Sequence, residues 1–252
     1  LLAALAVAVA SLAVPTAVRA SPTGVLDEVV VTAQRRPEPL ARVGASLSRI
    51  SPGITGVIDR THAAEALNRV PGVLMQRGSG QESLLAIRSP VLTGAGACGA
   101  FLMLEDGFAL RPVGFCNVNQ LFEANTSQAA AIEVLRGPGT ALHGASAVHG
   151  VINVLSPDPA TMPRTRFAGT GGSDDFTGLE FGLSDGRSAA WGLWRHDGGF
   201  RADSPVREAK LNLAHVTDLG GGTLRLRGAA VQLDQETAGF IRGLDAYRDP
   251  VL

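Results

Sequence analysis

Beyond Pro163 the apolar residues fall into a period of two. Leu179, Phe181 and Leu183 share one face of an extended segment, Gly178, Glu180 and Gly182 share the other, and Asp185-Gly186 supplies a hairpin turn. Ala189, Trp191 and Leu193 repeat the pattern, and Ala209, Leu211 and Leu213 alternate with Glu208, Lys210 and Asn212. After a turn at Gly220-Gly221-Gly222, Leu224, Leu226 and Ala230 alternate with Arg225 and Arg227. This rhythm predicts four or five antiparallel strands of roughly 10 residues each, joined by short turns. One face of such a sheet is apolar and the other polar, but alternation alone does not say which of them meets the core.

Upstream of Pro163 the pattern is mixed. Thr61 is placed to cap a short helix carrying Ala64, Leu67 and Val70, which Pro71-Gly72 terminates. Strand-like runs follow at Val73–Met75, Leu84–Arg88, Ala100–Leu104 ahead of Asp106-Gly107, Ile132–Leu135 and Gly150–Leu155. Ser127 is expected to start a helix of one or two turns before Ile132. These elements predict a small α+β domain ending near Pro157-Asp158-Pro159. Before it, the β-branched stretch from Val25 to Ala33 precedes the turn-rich Gln34 to Pro39. Two readings stand for that stretch: an extended linker, or a strand edge offered to a partner.

The N-terminal segment and the composition narrow the class. Leu1 to Val18 are almost all Ala, Val and Leu, interrupted by Ser11, Pro15 and Thr16, and Arg19-Ala20 follow. That reads as the apolar region of a secretory signal with cleavage after Ala20, since a spanning helix wants roughly 20 uninterrupted apolar residues. The chain starts at Leu1 with no basic region before it, so its N-terminus is expected to be incomplete. Gly occurs 31 times, 18% of residues are charged and the net charge is -1, which gives no basic footprint for nucleic acid. In an exported, oxidising setting Cys98 and Cys116 can pair, a loop closure contributing about 3 kcal/mol; the alternative is two buried thiols. No four-ligand zinc spacing surrounds either cysteine.

Other candidate chemistry dissolves on inspection. Gly94-Ala95-Gly96-Ala97-Cys98-Gly99 satisfies a dinucleotide-binding string, but the strand-like Phe101–Leu104 follows it where a helix would be needed. His143 and His149 lack a Glu at helical spacing, and no nucleophile and base stand together. The chain is therefore expected to be neither an enzyme nor a cofactor carrier.

The run Ile132-Glu133-Val134-Leu135-Arg136-Gly137-Pro138-Gly139-Thr140-Ala141-Leu142-His143-Gly144, with Gly150-Val151-Ile152-Asn153-Val154, closely resembles the last third of the plug of TonB-dependent outer-membrane receptors. Ala66 to Val73, Ile87-Arg88-Ser89 and Leu104 to Gly107 resemble the plug segments that precede it, in the same order. The resemblance implies an α+β plug domain followed by the start of an antiparallel transmembrane β-barrel, all-β and incomplete in this chain. The divisions it suggests are a signal peptide over 1–20, a TonB-box segment and linker over 21–44, the plug over 45–159 and the first four to five barrel strands over 160–252.

The resemblance also makes Asp27, Glu28, Val29, Val30, Val31, Thr32 and Ala33 a TonB box, tilting the open question about this stretch toward a strand edge for TonB. So close to the cleavage site, it leaves no room for an extra signalling domain. The family's barrel has about 22 strands, closed by the plug until TonB, driven by the inner-membrane proton gradient, pulls on it. Partners implied are TonB, outer-membrane lipid and a small-molecule or oligosaccharide ligand of the siderophore, cobalamin or glycan type; the location implied is the outer membrane. Arg88 and Arg136 would pair with carboxylates of the barrel wall. Arg77, Gln81, Glu82 and Thr93, with the loop from Cys98 to Cys116, would face the substrate. Two departures stand out: Ser89-Pro90 follows Ile87-Arg88 where the family usually has Gly, and His143 replaces a common aromatic. The rival reading is a free-standing periplasmic or surface module without a pore. An unclosed sheet in lipid leaves backbone groups unsatisfied, so the resemblance predicts further strands beyond Leu252.

Overall fold

The computed structural model describes residues 29–32, 35–58, 61–91, 100–110, 117–239, 243 and 248. Its first body is built on a mixed sheet of β3 (Leu47–Ile50), β8 (Ala131–Arg136), β9 (Gly150–Leu155), β6 (Phe101–Glu105) and β7 (Phe108–Ala109), in that spatial order. Strands β8 and β9 are antiparallel, whereas β9 and β6 run parallel. Both faces of this sheet are covered, which is why its central strands are apolar on both sides rather than alternating, interrupted by Glu133 in β8 and Asn153 in β9. Ile132, Val134, Ile152 and Val154 face a core with Leu67, Met75, Leu85, Ile87 and Leu121. Leu102, Leu104, Leu135 and Val151 face a second core with Val31, Leu47 and Ala147. Gly150 is required here: a Cβ on it would lie 2.7 Å from the Leu135 carbonyl oxygen and 2.7 Å from Ile87 Cδ1.

A hairpin of β4 (Val73–Arg77) and β5 (Ser83–Ile87) packs beside this sheet. Asn68 fixes it to the preceding helix, accepting from Met75 N–H at 2.7 Å and donating to the Met75 carbonyl at 3.1 Å. That helix, α2 (Ala64–Leu67), is shorter than its apolar spacing predicts and does not use the expected cap. His62 Nδ1 accepts the Ala64 N–H at 2.9 Å, while the Thr61 hydroxyl is taken by Glu65. The expected helix at Ser127 is absent: a 3-10 turn at Gln120–Glu123 leads into a buried, non-helical segment whose polar side chains are engaged elsewhere. Helix α1 (Pro52–Ile58) and edge strand β3 were not anticipated, because Gly53 and Gly56 weaken one signal and four residues give the other no period.

The second body is a meander of β10 (Thr165–Gly171), β11 (Thr177–Ser184), β12 (Ser188–Asp197), β13 (Val206–Leu219) and β14 (Gly222–Gln235), each antiparallel to the next. Among the described residues β10 and β14 each pair on one side only, so the sheet does not close. The polar side chains of Glu208, Lys210 and Asn212 are buried against the first body, while Leu211 and Leu213 are 42% and 49% exposed. Phe167, Leu179, Leu183, Trp194 and Leu226 join them on the exposed face. A water-soluble sandwich turns its faces the other way. Strand β12 departs from the polar-inward pattern, turning Ala189, Trp191 and Leu193 inward beside Glu180 and Lys210, while the exposed residues of the other strands give the polar-in, apolar-out polarity of a membrane barrel wall. Gly192 shapes this face, since a Cβ on it would meet the Lys210 carbonyl oxygen and the Phe181 ring.

Candidate functional site: the coupling segment and the seat of the plug

Of the expected TonB box, Val29 to Thr32 are described, and Asp27, Glu28 and Ala33 lie outside the described residues. Val30–Val31 form β1, which pairs antiparallel with β2 (Glu38–Pro39). Leu40 N–H donates to the Val29 carbonyl and Arg35 N–H to the Thr32 carbonyl, each at 2.8 Å. Val31 is 1% exposed, sunk into the apolar cluster of β6, β8 and β9. Thr32 N–H reaches both oxygens of Glu133 at 2.9 and 3.0 Å, and its hydroxyl donates to Glu133 Oε2 at 3.0 Å. The Glu133 side chain is fully buried and is balanced by Arg49 Nη1 at 3.6 Å. The segment is thus folded onto the plug.

The same end of the molecule is tied to the wall. Arg35 donates to the Gly107 carbonyl at 2.9 Å, and the neighbouring Asp106 pairs with Arg227 of β14 at 3.4 Å. Asp158 pairs with Arg225 at 3.0 Å. Its carboxyl is held below the usual range by the Ala160 N–H and by that arginine. Glu105 is pushed up to about 7 by burial and by Asp106, against the pull of Lys210 and Arg227.

Along the lumen face runs a row of alternating charge. Arg166 meets Glu180 at 3.6 Å, Glu180 meets Arg195 at 3.8 Å, Arg195 meets Glu208 at 3.6 Å, and Glu208 meets Lys210 at 2.9 Å. Lys210 Nζ also donates to the Ala124 carbonyl at 2.9 Å, crossing from wall to plug. Beside it Asn125 donates to Asn212 at 3.2 Å and Gln128 to the Phe181 carbonyl at 3.0 Å. These contacts explain why the segment after Glu123 is not a helix: its polar groups are committed to the wall.

Arg88 and Arg136 stand together but not with wall carboxylates. Arg88 donates to Ser46 Oγ at 2.9 Å and Arg136 to the Pro71 carbonyl at 2.7 Å. Burial and the neighbouring Arg88 lower the pKa of Arg136. Among the described residues, the five wall strands present neither arginine with an ion-pair partner. Arg77, Gln81 and Glu82 lie at the end opposite the β1–β2 hairpin. Gln81 N–H donates to Gln235 Oε1 at 3.0 Å, Glu82 Oε1 accepts from Thr237 at 3.4 Å, and Arg77 donates to Thr61 at 3.4 Å. The stretch of β14 from Arg227 to Gln235 spans ~26 Å at ~3.3 Å per residue, comparable to the apolar band of a membrane barrel. Nearby, burial and Arg77 lower the His62 pKa to about 4. Thr93, Cys98 and Cys116 lie outside the described residues.

Sequence reasoning missed Glu133, Lys210, Glu208 and Arg195. Glu133 left one signal: it is the only charge within the apolar run Ile132–Leu135, and a charge in a strand covered on both faces needs a partner. The wall charges left none, because an exposed strand face carries the same residues.

The sequence profile described as TonB-dependent Receptor Plug Domain matches residues 39–151. Over these residues the chain matches the plug of TonB-dependent receptors, and the antiparallel strands that follow resemble the start of that family's barrel. Among curated relatives, it is 29% identical over 192 residues to the vitamin B12 transporter BtuB of Photobacterium profundum, an alignment covering 75% of this chain and 30% of that protein. It is 32% identical over 154 residues to BtuB of Vibrio vulnificus, covering 60% of this chain and 24% of that one. The chain thus spans less than a third of the length of either relative. The pyoverdine outer membrane receptor FpvA of Pseudomonas aeruginosa has the same fold, with a TM-score of 0.61 and 16% identity over 82% of this chain and 30% of that one.

Proposed function

We propose that this chain is the N-terminal part of a TonB-dependent outer-membrane receptor that imports a scarce nutrient, a siderophore, cobalamin or glycan, using proton-motive energy transmitted by TonB. One observation carries the reading: a sheet with its apolar face outward and its charged face closed over a plug. Leu211, Leu213 and Leu226 on a free-standing periplasmic module would face water, which disfavours that alternative. In this reading Leu1 to Ala20 export the chain, lipid covers the apolar face, and Asp27 to Ala33 capture TonB by strand addition. Arg77, Gln81 and Glu82, at the end away from the coupling segment, belong to the ligand-facing surface. Arg88 and Arg136 await carboxylates on wall strands other than the five described. The divisions at residues 20, 44 and 159 are part of the proposal.

Val30→Pro removes a backbone donor from the strand that TonB would pair with. Site-directed crosslinking of the full-length protein to TonB should fall several-fold in this variant. Undiminished crosslinking would overturn the assignment of this segment as a TonB box.

A further inference from the structure

We infer that Glu133 is a latch holding the coupling segment on the plug, so that the segment is fully freed only after the Thr32 contacts to Glu133 are broken. The inference rests on the proposed role of residues 27–33 as a coupling segment, and its geometry is local. Glu133 sits in β8, where Ile132 and Val134 point into one apolar core and Leu135 into the other. A carboxylate in such a strand needs strong partners. Arg49 at 3.6 Å supplies one charge, and the remaining acceptor capacity goes to Thr32 through three contacts of 2.9 to 3.0 Å. No other side chain in the segment reaches the plug through hydrogen bonds among the described residues. Val31 adds an apolar peg, but that contact is non-directional and does not fix the register of the segment.

The arrangement has two positions. With Thr32 on Glu133 the segment is docked and its strand edge is taken by β2. When Thr32 leaves, Glu133 keeps Arg49 and gains water at the vacated side, so the carboxylate is not stranded. That makes release reversible and places its difficulty in the Thr32 contacts. Replacing the carboxylate by an amide leaves one oxygen to accept and turns an NH2 group toward the Thr32 donors, so Glu133→Gln weakens the latch while preserving its shape. Thr32→Val keeps the N–H contacts and removes the hydroxyl.

The test is hydrogen-deuterium exchange of the full-length protein in detergent, read on peptides covering residues 29–36 and 131–136. Glu133→Gln should speed exchange in the first peptide about tenfold, with the second unchanged; Thr32→Val should act in the same direction and less strongly. If Glu133→Gln also loosens the second peptide, the plug itself is disturbed and Thr32→Val decides alone. Parental exchange rates for residues 29–36 in Thr32→Val, together with either parental rates or global loosening in Glu133→Gln, would overturn the latch. The readout does not involve TonB. Faster exchange in a protein that never crosslinks to TonB would keep the latch and remove the coupling reading, whereas normal crosslinking with parental exchange would do the reverse.

Discussion

Lys210→Met tests the seat of the plug most directly. The side chain is 5% exposed, and its ammonium group holds both the Glu208 carboxylate at 2.9 Å and the Ala124 carbonyl at 2.9 Å. Methionine keeps the length of the stem and removes the charge, leaving Ala124 without its donor and Glu208 with Arg195 alone at 3.6 Å. Breaking a buried pair from one side costs about 3–5 kcal/mol, and the surviving arginine places this case near the lower end, ~3 kcal/mol. Trp191 provides the assay. It is buried on the lumen face beneath Arg227, whereas Trp194 is 42% exposed on the outer face, so Trp191 emission in a Trp194→Phe background reports departure of the plug during a urea titration. The midpoint should fall with the slope unchanged. Adding Glu208→Leu should restore most of the loss, because the orphaned charge leaves with its partner. A single variant within about 1 kcal/mol of the parent, or a double variant whose loss is the sum of the two singles, would refute the ladder as a unit.

Two further outcomes follow from the same structure. Glu105, lifted from 4.5 to about 7, favours the folded plug fully below pH ~4.5, and that contribution is lost as pH rises through about 7. The change is at most ~3 kcal/mol, and Glu105→Gln should flatten stability between pH 5 and 8; a slope identical to that of the parent would remove Glu105 as its source. Gly192→Ala drives a methyl group against the Lys210 carbonyl and the Phe181 ring and should lower stability by about 1–3 kcal/mol in the same urea titration, whereas an unchanged midpoint would mean that this outer face is loosely packed.

What the sequence made legible divides along physical lines. The runs Ile132–Leu135 and Gly150–Leu155 are apolar on both faces but for Glu133 and Asn153, because both faces of their sheet are covered, and they stand out in any reading. The wall strands carry a clean period of two at Leu211 and Leu213, but Thr165–Gly171, rich in Gly and Thr, carries none and was not predicted. Thr61 has the composition of a cap, yet His62 takes that place because its ring is buried and close enough to accept from Ala64. Ser127 looks like a helix start only if the chain is considered alone; its neighbours Asn125 and Gln128 are bound to a wall more than 50 residues away in sequence. Lys210 and Glu208 are the clearest case. Their importance comes from which side of the sheet is inside, and residue types on a strand do not encode that.

The short hairpin at the N-terminal end has a mechanical consequence. Val29 lies beside Leu40 and Val30 beside Pro39, so a load entering from the N-terminal side, as in the coupling role proposed above, meets the open end of the hairpin. A load applied there opens the contacts in succession: first Leu40 to Val29, then Val30 against Pro39, then Val31 against Glu38, and then Thr32. Contacts loaded one at a time yield at a smaller force than the same contacts loaded together. The segment is therefore arranged to be peeled, and its most strongly bonded residue stands last in line.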